Sequence, residues 1–249
     1  MLDYAVISEL GGRNVNEDFV GAKELGENYC FLVCDGLGGH GMGDIASRFV
    51  TNCFLEQFVS HGTASNFLPA TFSFAQDALL HYQQAHNAGG KMRTTVAALV
   101  INGSQVSIGY IGDSRVYIFR RNSTLQRTID HSVPQMLALA GEIEETEIRS
   151  HPDRNKILRA MGIDWPKPMY DLLPTMALEQ CQGFLLCSDG FWECITEDKM
   201  IELLNKSTSA QAWLDAMSDI VRQNGSFKNM DNYSAIAIIN HPSERNFAL

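Results

Sequence analysis

Four aspartates of this 249-residue chain stand where strands should end or begin. Asp35 and Asp189 each close a short apolar run and precede glycine, Asp113 follows Tyr110-Ile111-Gly112, and Asp231 comes just before the apolar run Ala235 to Ile239. Taken singly, each Asp-Gly pair reads as an ordinary turn. In antiparallel sheets the end of one strand lies beside the start of its neighbour, so the four can gather at a single edge. Carboxylates that close repel and raise one another's pKa unless something cationic compensates. Hard divalent cations answer that need: Mg²⁺ and Mn²⁺ suit a few carboxylates, a carbonyl and several waters, and two of them can share one carboxylate and one water. Gly36 can lend the carbonyl. Such a pair acidifies the shared water and holds it in line with a phosphorus atom. Arg13, close in sequence to Glu17 and Asp18, is the candidate guanidinium for bidentate contact with phosphate oxygens.

The elements that must carry these residues are legible in the apolar pattern. Cys30 to Cys34 reads as a buried strand, and from Ile45 the residues Ala46, Phe49, Val50, Cys53, Phe54 and Phe58 recur at helical spacing, so a strand, a glycine-rich turn and a helix follow one another around Asp35. Gly36, Gly38 and Gly41 spell G-x-G-x-x-G there, yet a second helix with Leu68, Phe72, Ala75 and Leu79 on one face follows where a dinucleotide-binding fold needs a parallel strand. Tyr4 to Leu10 is expected as a first strand and Gly11 to Asp18 as a polar turn. Thr94 to Ile101, Gln105 to Gly112 and Arg115 to Arg120 are expected as an antiparallel meander, with turns at Asn102-Gly103 and Asp113-Ser114. Leu125 to Asp130 is one more strand. Between Val133 and Pro174, five prolines and several glutamates mark a partly helical excursion too poor in apolar residues to form its own core. The strand Phe184 to Cys187, helices over Asp198 to Lys206 and Ala210 to Asn224, and the strand Ala235 to Ile239 complete the chain.

Composition excludes several classes of function. No apolar stretch of about eighteen residues occurs, so no transmembrane helix is expected, and Met1-Leu2-Asp3-Tyr4 lacks the basic start of a signal peptide; a soluble, cytoplasmic protein follows. The formal charge of −10 and the lack of a basic cluster argue against nucleic acid or an anionic membrane as partner. Six cysteines, mostly within apolar runs and with no C-x-x-C pair, read as buried reduced thiols.

At its polar segments the chain resembles the bacterial form of the type 2C (PPM) metal-dependent protein serine/threonine phosphatases. The matching segments are Arg13 to Asp18, Asp35 to Ser47, Thr94-Thr95, Gly112 to Arg115, Asp130-His131-Ser132, His151 to Gly162, Leu186 to Glu193 and Asp231 to Ser234, in family order over nearly the whole chain. The resemblance implies an α+β fold, a four-layer αββα sandwich of two antiparallel sheets flanked by helix pairs, as one domain over 1–249 with a flap-like excursion at about 133–175. It implies two Mn²⁺ or Mg²⁺ ions bridged by Asp35, with the Gly36 carbonyl on one and Asp189 and Asp231 completing the other. Glu17 and Asp18 would bind through water. Asp113, with Asp189, matches the position of a third, weaker metal, where Glu193 stands as a further carboxylate, and Arg13 matches the phosphate-binding arginine. Leu37 stands where some members carry a histidine as general acid, which leaves His40 as the nearby candidate. His131 and His151 read as structural or flap residues.

The expected activity is hydrolysis of phosphoserine and phosphothreonine on proteins by a hydroxide bridging the two metals. Its partners would be phosphorylated proteins, a serine/threonine kinase or its substrates. The alternative is a pseudophosphatase that keeps the fold as a phosphoprotein-binding module, although such proteins usually lose a metal ligand and Asp35, Asp189 and Asp231 are all present. A two-metal nuclease fits the carboxylates but not the acidic balance.

Overall fold

The third strand shows how the residues build the layers. Along Asn28–Asp35, Cys30, Leu32 and Cys34 face one way, into a core with two helices, while Phe31 and Val33 face the other way, into a core shared with a second sheet. Such two-sided burial gives a strand that is apolar throughout. The computed structural model describes residues 2–37, 41–122, 124–226 and 229–241. Its strands are β1 (Leu2–Glu9), β2 (Asp18–Leu25), β3 (Asn28–Asp35), β4 (Val96–Asn102), β5 (Gln105–Ile111), β6 (Arg115–Arg120), β7 (Leu125–Arg127), β8 (Asp171–Leu172), β9 (Met176–Ala177), β10 (Cys181–Cys187) and β11 (Tyr233–Asn240). The helices are α1 (Gly43–His61), α2 (Phe67–Ala85), α3 (Val133–Leu139), the single turn α4 (Asp189–Trp192), α5 (Glu197–Lys206) and α6 (Ala210–Gly225).

One sheet runs β1-β11-β10-β6-β7 and the other β2-β3-β4-β5-β8, with β9 also paired to β5. The strand pairs are antiparallel. Between the sheets lie Phe31, Val33, Leu99, Ile108, Val116, Ile118, Phe184, Leu186, Ile236 and Ile238. Outside the second sheet, α1 and α2 bury Phe54, Phe58, Phe72 and Leu79 against β3 and β4. Outside the first, α5 and α6 bury Met200, Trp213 and Met217 against Leu185, Ala235 and Ala237. Three cores between four layers make the αββα sandwich that the resemblance implies.

Two expectations are corrected. Asp18, expected as the end of a polar turn, instead opens the edge strand β2, which runs to Leu25 and pairs with β3 from Asp18↔Asp35 to Leu25↔Asn28. Its apolar residues Phe19, Val20 and Ala22 are only partly buried, so the strand signal is weak. The meander is also broken: β5 and β6 belong to different sheets, so Asp113-Ser114 is a crossover from one sheet to the other and not a hairpin turn. The crossover is tight because Gly112 sits at φ +99°, and a Cβ there would lie 2.5 Å from the Thr95 methyl group. The excursion over 133–175 contains α3, a 3₁₀ turn at Glu145–Ser150 and β8; its buried hydrophobic residues are Ile148, Ala160 and Met161, too few for a core of its own.

Candidate metal centre

At one end of the sandwich the strand termini of both sheets converge. Asp35 ends β3, Asp189 follows β10, Asp231 precedes β11, and Asp113 lies in the crossover between the sheets. The Asp35 backbone is tied on both sides: its N–H donates to Thr95 Oγ1 at 2.9 Å, and its carbonyl accepts from the Thr94 hydroxyl and the Thr95 N–H, both at 2.9 Å. Thr95 Oγ1 in turn meets Ser114 Oγ at 2.7 Å, which fastens the Asp35 strand to the residue after Asp113. Gly36 is obligatory, because a Cβ would stand 2.2 Å from the Gly43 carbonyl oxygen at the start of α1.

The Arg13 to Asp18 segment is held by Asn232. Its Oδ1 accepts from the Glu17 N–H at 2.9 Å, and its Nδ2 donates to the carbonyls of Leu10 and Val15 at 2.8 and 3.0 Å. The Glu17 carbonyl accepts from the Gly36 N–H and the Ser47 hydroxyl, so both acidic segments share one anchor. Asp18 points inward, where its carboxylate accepts from Ser188 Oγ at 2.7 Å.

The electrostatics are those of an uncompensated cluster. Burial, then Asp18, Asp189, Asp113 and Asp231, pushes the Asp35 carboxyl well above the usual range. Burial outweighs the Ser188 and Ser234 hydroxyls and carries Asp18 up to about 7. Asp189 rises to about 6 through burial and Asp231, and Asp113 rises well above its ordinary value through burial, Asp189 and Asp130. Glu17 is raised by burial, Asp44 and Asp231. Asp35 and Asp189 interact within this cluster, and each is pushed up chiefly by burial and by the surrounding carboxylates.

These residues fit hard divalent cations. Asp113 is only 2 % exposed, and both its carboxylate oxygens are buried without a hydrogen-bond partner. A buried carboxylate with neither donor nor counterion is costly, and a cation removes the cost. Asp35, Asp189, Asp231 and Glu17 are partly exposed, which leaves a route for a hydrated ion, and oxygen donors of this kind suit Mg²⁺ or Mn²⁺. Among the described residues, no three such side chains already converge as a finished metal cage.

The structure brings Arg13, Glu17, Asp18, Asp35, Gly36, Asp113, Asp189 and Asp231 to one region. Arg13 Nη2 lies 2.7 Å from Asp231 Oδ2, with both side chains partly exposed, so it stands at the rim of the cluster. Glu193 Oε2 pairs with Arg154 Nε at 3.1 Å. His40 lies outside the described residues, while the neighbouring Leu37 N–H donates to the Arg93 carbonyl at 2.9 Å. Asn232, Ser188, Ser234, Thr95 and Ser114 were not assigned a role from sequence, although polar residues beside otherwise apolar strands were the available signal. The six cysteines are free, and burial pushes the Cys34 and Cys53 thiols up to about 12 and about 11, which disfavours a thiolate nucleophile. Among the described residues no helix is long and apolar enough to cross a membrane.

Residues 8–233 match the family of protein phosphatase 2C. The chain is 28% identical over 233 residues to the serine/threonine phosphatase stp of Listeria welshimeri, covering 91% of this chain and 90% of that one. Among solved structures it resembles the serine/threonine phosphatase Stp1 of Staphylococcus aureus, with a TM-score of 0.87, 29% identity and coverage of 97% and 96%. It also resembles the catalytic domain of the serine/threonine phosphatase PstP in complex with two manganese ions, with a TM-score of 0.80, 25% identity and coverage of 96% and 97%.

Proposed function

The chain belongs to the protein phosphatase 2C family and is a serine/threonine protein phosphatase, and from that premise we propose that it hydrolyses phosphoserine and phosphothreonine on proteins with two divalent metals held by the carboxylate cluster, as a single domain. The observation that carries this reading is the crowding of Asp35 by Asp18, Asp189, Asp113 and Asp231, with the two Asp113 oxygens orphaned beside it. Bound there, manganese or magnesium supplies a Lewis acid that activates water and neutralises phosphate oxygens. Asp35 would anchor both ions, with the Gly36 carbonyl on one and Asp189 and Asp231 on the other. Glu17 and Asp18 orient water, with Asp18 held in place by Ser188. Asp113 serves a third, weaker position. Arg13, at the rim, turns from Asp231 to the phosphate oxygens of the substrate, and a guanidinium suits that bidentate contact. His40 is the candidate proton donor to the leaving oxygen.

The PstP relative's two manganese ions support the metal count, and the net charge of −10 supports phosphorylated proteins over nucleic acid or anionic membrane as partners, in a cytoplasmic setting. Phosphate release from a phosphothreonine peptide tests the reading. It should require added Mn²⁺ or Mg²⁺ and vanish with a chelator, while Zn²⁺ and Ca²⁺ substitute poorly because they favour other ligand sets. Full activity after exhaustive chelation overturns the metal reading. Binding of the phosphopeptide without phosphate release, in any metal, points to the pseudophosphatase alternative.

A further inference from the structure

Asp113 is the most isolated acid of the cluster, and the peptide groups on either side of it are gripped from two directions. Its carbonyl accepts from Trp192 Nε1 at 3.0 Å. The residue before it, Gly112, donates its N–H to His131 Nδ1 at 3.2 Å and accepts the His131 N–H at its carbonyl at 2.8 Å. His131 Nε2 lies 2.9 Å from Asp171 Oδ2, and Arg159 Nη1 lies 3.2 Å from the same carboxylate oxygen. The Gly112 N–H can only donate, so Nδ1 accepts and the neutral ring carries its proton on Nε2, directed at the Asp171 carboxylate 2.9 Å away; Arg159 Nη1 lies farther from Nε2, at 3.4 Å, and donates to that same carboxylate. Burial favours that neutral form as well, lowering the His131 pKa.

The ring has little freedom to move. It is 7 % exposed and stacks on Tyr110 with the centroids 5.2 Å apart and the planes 19° apart, while the His131 carbonyl accepts from the Leu158 N–H at 2.7 Å. The ring therefore joins β8, through Asp171, to the crossover that carries Asp113.

We infer that His131 is a positioning residue for the Asp113 carboxylate, its Nδ1 fixing the Gly112 peptide and its Nε2–H anchored on Asp171. The inference rests on the proposed role of Asp113 as a cation ligand. A ligand with no hydrogen-bond partner of its own is aimed only by its backbone, so the groups that hold that backbone set where its oxygens point. Asp171 acts one step further out, by keeping the acceptor nitrogen free of its proton.

Two measurements test this. Nitrogen chemical shifts of imidazole-labelled protein should show His131 as the neutral Nε2–H tautomer near neutral pH; an Nδ1–H or doubly protonated ring contradicts the inference. Calorimetric Mn²⁺ titration should then be compared for the parent, Asp113→Asn, His131→Phe, His131→Asn and the double variant Asp113→Asn/His131→Phe. Phenylalanine keeps the ring packing and loses both nitrogens, while asparagine can restore an acceptor near the Nδ1 position. His131→Phe should weaken the weakest binding event several-fold, His131→Asn should recover part of it, and His131→Phe should add nothing in the Asp113→Asn background. If His131→Phe lowers only the melting temperature, or its effect on metal binding adds in full to that of Asp113→Asn, His131 is merely part of the fold. If Asp113→Asn itself binds metal as the parent does, the reading of Asp113 has failed and the inference falls with it. The tautomer measurement uses the parent alone, so a poorly folding variant does not remove the test.

Discussion

Asp113 and Arg115, separated only by Ser114, head two clusters of buried charge that differ in one respect. Around Arg115 the signs balance. Its guanidinium grips Asp130 through contacts of 2.9, 3.2 and 2.7 Å, reaches the Tyr117 hydroxyl at 2.9 Å and lies 3.4 Å from the Trp192 ring centroid. Arg127 adds an ion pair to Asp130 and another to Glu145, and Arg149 Nη2 meets Glu197 Oε2 at 2.6 Å. Around Asp113 the signs do not balance. Asp18, Asp189, Asp113 and Asp231 all push the Asp35 carboxyl up, and the nearby cations Arg13 and Arg154 engage Asp231 and Glu193. Buried acids that already hold their guanidiniums are framework, whereas buried acids left without a counterion are suited to a cation from solution.

Substitutions on each side can break this comparison. The largest effect is expected for Asp35→Asn, which keeps the shape but removes the charge that we propose the metals share. Turnover with p-nitrophenyl phosphate should fall at least a thousand-fold, about 4 kcal/mol of barrier. The melting temperature of the metal-free protein should not fall, because one of several repelling charges is gone. A large loss of stability without metal would place Asp35 with the framework acids instead.

Arg115→Ala should do the reverse. It strands Asp130 and leaves a gap beside Trp192, so about 3–5 kcal/mol of stability should be lost in denaturant unfolding, with Mn²⁺ unable to restore the parent midpoint. An unchanged midpoint would mean that the balanced cluster contributes no net stability.

Arg13→Ala sits between the two. Its ion pair with Asp231 is partly exposed and contributes little to folding. Loss of a charged hydrogen bond to phosphate should instead reduce kcat/KM by about 1.5–3 kcal/mol. A lower melting temperature with normal kinetics would make Arg13 a structural residue.

The smallest effect concerns pH and His131. Burial holds its pKa below the ordinary value of 6.5, against the opposing pull of Asp171 and Asp130 and with help from Arg159. As pH falls through that value the unfolded chain takes up a proton that the folded chain refuses. The stability tied to the neutral ring is therefore complete above it and is lost as pH falls towards the lowered folded value. Between about pH 7.5 and about pH 5.5, the parent should lose more stability than His131→Phe, read from urea midpoints; equal losses would show that the ring's proton is not linked to folding.

Much of the site was legible because its acids sit where apolar runs stop: Cys30 to Cys34 before Asp35, Phe184 to Cys187 before Asp189, and Ala235 to Ile239 after Asp231. The layered fold followed from the same runs together with the helical spacing in α1 and α2. The edge strand β2 was hidden because Gly21 interrupts its pattern, and the reason is tertiary: a Cβ there would lie 2.5 Å from the Thr51 methyl group on α1. The crossover at Asp113-Ser114 looks in sequence like the hairpin turn at Asn102-Gly103, and only the three-dimensional placement of β5 and β6 separates them. Asn232 and Ser188 carry no role in the sequence, and His131 reads there only as a structural or flap residue, for a shared reason. Each acts on a partner distant in the chain, as Ser188 does on Asp18 and His131 on Asp171, and local pattern carries no trace of such pairs.

The central claim is that the unbalanced acids around Asp35 form one divalent-metal centre with Asp35 as its shared ligand. Calorimetric titration of Mn²⁺ into the parent, Asp35→Asn and Asp113→Asn tests it most directly. The parent should show two principal binding events, Asp113→Asn should keep both, and Asp35→Asn should lose or severely weaken both together. Two undiminished metal sites in Asp35→Asn would contradict the account and move the centre of the site to another residue.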